Sequence, residues 1–88
     1  MIMYEITTRT KRVEKRYNEF VDDKTEKKLE LLKQNPRGKL GAHKLKGKLK
    51  RFWSCWLSTD IRMIYEIDDE NRLIIVESIG SHKIYFSS

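Results

Sequence analysis

Five residues have the acid–base or phosphate chemistry of a reactive centre: His43, His82, Asp60, Arg62 and Tyr85. These types suffice for cleaving an RNA chain without a metal. Such cleavage needs a base for the 2′-hydroxyl, a cation to neutralise the pentavalent phosphorane, and an acid for the departing 5′-oxygen. His43 lies inside a basic segment, and His82 and Tyr85 are three residues apart near the C-terminal end. Arg62 falls on the less apolar side of an alternating run. Each also has a plainer reading. Asp60 serves as a turn residue, His82 caps a strand, and Tyr85 fills a core.

Other chemistries find no residues to carry them. The histidines are 39 positions apart and the one cysteine, Cys55, cannot complete a zinc set or a disulfide framework. There is no phosphate-binding glycine loop and no dinucleotide fingerprint, so no metal and no small-molecule cofactor is expected. Cys55 sits among bulky apolar residues and reads as a buried, inert thiol.

The charge is concentrated. The 88 residues hold 19 Lys and Arg against 13 Asp and Glu, a formal net charge of +6. Seven of the cations lie in the acid-free window from Arg37 to Arg51, leaving twelve against 13 acids elsewhere. Within it, Lys44, Lys46, Lys48 and Lys50 recur every second residue, and Arg51 follows. If the stretch is extended, the four ammonium groups share one face, and Leu45 and Leu49 point toward a core. Such a row suits a sugar–phosphate chain. The plainer alternative is a lysine-rich edge that blocks sheet-to-sheet association.

The elements that must position these residues follow from periodicity. Tyr4, Ile6 and Thr8 alternate in a first strand. Val13, Tyr17 and Phe20 have helical spacing, and Asp23 with Glu26 predicts the capped start of a second helix, one continuous with the first or separate from it. Asn35-Pro36 ends that helix. Arg37 to Gly47, with three glycines, reads as a long connecting loop. Leu49 to Leu57 is an aromatic-rich strand. Ile61 to Ile67 sets Ile61, Met63, Tyr65 and Ile67 against Arg62, Ile64 and Glu66, and Leu73 to Ile79 is a further strand. The order β-α-α-β-β-β gives an α+β domain over residues 1–88, an antiparallel sheet covered on one face by two N-terminal helices. The longest apolar run, Leu73 to Val76, is far below the roughly 18 residues of a membrane span, and no signal peptide is visible, so a cytoplasmic protein is expected.

From Lys44 onward the chain resembles the RelE/ParE superfamily of type II toxins. The resemblance rests on His43-Lys44-Leu45-Lys46-Gly47, the aromatic strand, Asp60-Ile61-Arg62-Met63-Ile64-Tyr65-Glu66-Ile67, Leu73 to Ile79, and Gly80-Ser81-His82-Lys83-Ile84-Tyr85. The YafQ-like ribonuclease branch is the most similar, with RelE second. The resemblance implies a metal-independent endoribonuclease that cleaves mRNA in the ribosomal A site, against 16S rRNA, and that a cognate acidic antitoxin neutralises. It implies acid–base roles for His82 and Asp60, proton transfer or phosphate contact for His43, and phosphate contact for Arg62. Tyr85 or Phe86 takes the place of a terminal aromatic. Lys44, Lys46, Lys48, Lys50, Arg51 and Lys83 would bind RNA. One position departs from the branch: Trp56 stands where it has a further histidine. A tryptophan cannot transfer a proton but can stack on a base. The alternatives are a ParE-like gyrase inhibitor and an RNA- or antitoxin-binding module without cleavage.

Overall fold

Thr10 separates the first strand from the first helix: its side chain accepts a hydrogen bond from Val13 N, which satisfies one of the free N–H groups of the opening turn. In the computed structural model, which describes residues 3–81, the chain runs β1 (Glu5–Thr8), α1 (Lys11–Phe20), α2 (Asp23–Gln34), β2 (His43–Lys44), a 3-10 turn (Gly47–Leu49), β3 (Phe52–Trp56), β4 (Ile61–Asp68) and β5 (Leu73–Ser81). The expected α+β order is present. The structure adds the two-residue strand β2 inside the predicted loop.

The helices are separate. Val21 leaves helical geometry, and α2 opens on Asp22, not Asp23. The Asp22 carboxylate accepts from Thr25 N at 2.9 Å, and the Thr25 hydroxyl accepts from Asp22 N at 2.7 Å. Thr25 therefore fills the reciprocal role expected of Glu26. Asn35 ends the helix just before Pro36, as the sequence predicts.

The five strands form one sheet in the order β1-β5-β4-β3-β2. All neighbours are antiparallel except β1 and β5, which pair in parallel. The alternation of β4 decides the two faces. Met63 and Tyr65 join Cys55, Ile74, Val76 and Ile79 in a core closed by Leu29 and Leu32 of α2. Arg62, Ile64 and Glu66 point to the opposite face, where β3 contributes Phe52, Ser54 and Trp56. Tyr65 anchors the connection after α2, its buried hydroxyl donating to Pro36 O at 2.6 Å. Among the described residues no helix is long and apolar enough to cross a membrane.

The lysine row does not persist as a strand. Lys44 ends β2, and Gly47 turns the chain with φ +67, a region that favours glycine. Residues 47–49 then form the 3-10 turn. Lys44, Lys46, Lys48 and Lys50 are all exposed, but they fan around a loop. Leu45 and Leu49 are half-buried and stand outside the core, contrary to the extended-chain expectation.

Candidate nucleic-acid interface

The face of the sheet turned away from the helices carries three of the candidate residues, His43, Trp56 and Arg62. Register defines its rows. Trp56 pairs with Arg62, and Arg62 with Gly80. One row along, His43 pairs with Ser54, Ser54 with Ile64, and Ile64 with Ser78. His43 and Arg62 are thus two strands and two residues apart, roughly 12 Å between backbones at standard sheet spacings.

His43 owes its place to the turn before β2. Leu40 and Gly41 both have positive φ, 58 and 65, so the chain reverses within two residues. Leu40 O then accepts from Trp56 N at 2.9 Å, which extends the β2–β3 pairing beyond the strand itself. The exposed His43 ring places Nδ1 3.2 Å from Gly41 O. A carbonyl only accepts, so in the neutral ring this contact favours the tautomer protonated at Nδ1, with Nε2 as the remaining acceptor.

Arg62 is buried, and its guanidinium lies 4.2 Å from the centre of the Trp56 ring. A cation over an indole is held by the ring quadrupole, worth about 0.5–2 kcal/mol depending on desolvation. The hydroxyls of Ser54 and Ser78 flank Ile64 on this face, and neither oxygen has a hydrogen-bond partner among the described residues. At the β1 side, Arg9 bridges Glu77, 3.0 Å away, and Glu66. One of the two negative charges at this edge is thereby offset.

The basic window divides by function. Arg37 makes a bidentate pair with Asp69 at 3.0 and 2.8 Å and lies 5.7 Å from the Trp53 ring centre, so its charge is spent on the fold. Arg51 stacks on Phe52 at 4.8 Å. Among the described residues, Lys44, Lys46, Lys48 and Lys50 form no ion pairs.

Asp60 is exposed in the β3–β4 turn, where its backbone N–H donates to the Ser58 hydroxyl. It immediately precedes β4, while Arg62 and Trp56 lie on the face turned away from the helices. His82, Lys83, Tyr85 and Phe86 lie outside the described residues. The final described pair, Ile61 with Ser81, stops one residue short in sequence of both Asp60 and His82. Cys55 is in the core, and burial pushes its thiol up to about 12, in keeping with an inert role.

Sequence reasoning missed Lys28, Ser58 and Thr59. With Trp56 they line a recess of about 430 Å³ at the tip of the β3–β4 hairpin. No local pattern marks Lys28, because α2 reaches this tip only through the tertiary fold.

Comparison with known proteins places this architecture. A family model described as a bacterial toxin of type II toxin–antitoxin system, YafQ, matches residues 4–87. Among solved structures, a conserved hypothetical protein of Helicobacter pylori is 30% identical, covering 91% of this chain and 96% of its own, with a TM-score of 0.61. The YoeB–YefM toxin–antitoxin complex of Staphylococcus aureus is 29% identical over 90% of this chain and 97% of that chain, with a TM-score of 0.66. YafQ of Escherichia coli shares the fold at 22% identity and a TM-score of 0.57, covering 90% and 93% of the two chains. No curated protein sequence matches.

Proposed function

As the chain belongs to the YafQ toxin family of type II toxin–antitoxin systems, we propose that it is a metal-independent endoribonuclease that cleaves translated mRNA on the ribosome, beside 16S rRNA, and so blocks protein synthesis in the cytoplasm. One observation carries this reading. His43, Trp56 and Arg62 share one sheet face next to a loop of exposed lysines.

The reaction follows from the groups. A proton leaves the 2′-hydroxyl for a base, for which His43 Nε2 is available. The 2′-oxygen–phosphorus bond forms and the bond from phosphorus to the 5′-oxygen breaks. Arg62 opposes the charge that builds on the phosphorane, and a proton passes to the departing 5′-oxygen. His82 and Asp60 are assigned that acid–base work, and Tyr85 or Phe86 the terminal aromatic contact. Lys44, Lys46, Lys48, Lys50, Arg51 and Lys83 grip the backbone, and Trp56 stacks on a base.

The cognate antitoxin is proposed to be an acidic chain that folds on the toxin. Support comes from the excess of cations here and from the Staphylococcus aureus relative, which is a toxin–antitoxin complex.

In vitro translation with mapping of message ends tests the function. Cut messages are expected with the native chain and intact ones with His43→Ala, His82→Ala or Arg62→Met. Trp56 in place of a histidine favours a second reading, binding without cleavage. Growth arrest with intact messages, unchanged in all three variants, establishes that alternative, and DNA-damage signalling then identifies gyrase as the target.

A further inference from the structure

We propose that the recess at the β3–β4 hairpin tip is a subsite for one nucleotide of single-stranded RNA, with Trp56 as its stacking surface and Lys28 as its phosphate ligand. The inference rests on the RNA-directed reading above and extends the site beyond the residues assigned there.

The recess is lined by Lys28, Trp56, Ser58 and Thr59, and its volume of about 430 Å³ lies in the range of small-molecule sites, roughly 300–1,000 Å³. Its parts suit a nucleotide. Trp56 is held in place: its backbone N–H donates to Leu40 O, and Arg62 lies over one face of the ring. Gly41 lies near the ring edge, where an added Cβ would sit 3.5 Å from Cδ1. An immobilised aromatic ring stacks on any base at little entropic cost.

Lys28 is held as well. Its Nζ donates to Leu57 O at 2.9 Å, so the ammonium is positioned by the fold. Two N–H groups remain for a ligand. Among the described residues no carboxylate pairs with it. The Ser58 oxygen accepts from Ile61 N at 3.1 Å and from Asp60 N at 3.3 Å, which leaves its hydrogen free to be donated. A pinned ammonium and two hydroxyls beside an indole match a phosphate joined to a base.

Position supports the same ligand. The lysine loop precedes β3 and the recess follows it, about 14 Å further along at strand rise. An RNA strand gripped at the loop and following the direction of β3 ends at the recess. The larger groove between the helices, about 590 Å³, sets Asp23, Glu26 and Glu30 against Lys27 and Lys33 and so has no cationic excess to attract a polyanion.

A short 2′-O-methylated RNA carrying a terminal dye, which cannot be cleaved, provides the test. Trp53→Phe leaves Trp56 as the single tryptophan. Dye anisotropy reports binding, and indole emission reports stacking at Trp56. Saturable quenching in step with binding is expected. Lys28→Met should weaken binding about tenfold, as for loss of one charge-assisted contact. Lys28→Arg should recover most of that loss, and Thr59→Val, which leaves the Lys28–Leu57 contact intact, should weaken binding severalfold. Arg51→Met should weaken binding yet leave the quench at saturation unchanged. RNA that binds without quenching, or with an affinity indifferent to both Lys28→Met and Thr59→Val, overturns the subsite and leaves the proposed function standing. Absence of any RNA binding overturns both.

Discussion

Arg62 lies directly across the β3–β4 ladder from Trp56, with its guanidinium 4.2 Å from the centre of the indole ring. The pair ties a buried charge to an aromatic surface on the face turned away from the helices. Under the proposed function, a base stacked on Trp56 would sit beside the group assigned to oppose phosphate charge, so binding and chemistry would share one support.

Trp56→Ala should therefore weaken RNA binding by about 1–3 kcal/mol, the range for one lost base–aromatic stack. Trp56→Phe should keep most of the affinity. Equal affinities for the alanine variant and the native chain, measured by RNA anisotropy, would remove Trp56 from the interface.

Tyr65→Phe should cost stability without touching that interface. The Tyr65 hydroxyl is buried and donates to Pro36 O at 2.6 Å. Its loss strands a carbonyl, worth about 1–3 kcal/mol. Urea denaturation should show a lower midpoint with an unchanged slope.

Acid should unpick the contact between the end of α2 and the β4–β5 turn. Hydrogen bonds from Arg37, and then from the Tyr4 hydroxyl, hold the Asp69 carboxyl down at about 2. The unfolded value is about 3.9. A depressed folded value stabilises above the unfolded one, so this contribution is complete above pH ~4 and fades as pH falls toward ~2. Asp69→Asn should flatten the fall in stability across that interval. Parallel pH curves for native and variant chains would contradict the assignment.

Cys55 should resist alkylation in the folded protein at mildly alkaline pH and react at once in denaturant. Its thiol is fully buried, and desolvation disfavours the thiolate that the reaction requires. Rapid labelling of the folded chain, followed by mass spectrometry, would show that the core opens.

Much of this fold is legible in local pattern, because alternation and capping are local physics. Met63 and Tyr65 against Arg62, Ile64 and Glu66 assign both faces of β4 through their two-residue period alone. The start of α2 is legible only to within a residue, since Asp22 and Asp23 are adjacent acids and the Thr25 hydroxyl decides between them. The lysine row misleads because its two-residue period is interrupted by a left-handed Gly47, and charge spacing alone cannot report a backbone dihedral. In the site, residue types at His43, Asp60 and Arg62 suggest chemistry, but β2 is too short for a strand signal. Lys28 joins Trp56 at the recess through packing, which no window of sequence contains.

The parallel pairing of β1 with β5 sets a schedule for synthesis. Glu5 pairs with Leu73 and Thr8 with Val76, each pair separated by 68 positions. The first strand must wait, unmatched, while nearly all the intervening chain is made, and contacts so distant are slow to form. Gly80, the neighbour of Arg62, arrives later still. A nascent chain released before Gly80 therefore lacks the strand against which Arg62 is set.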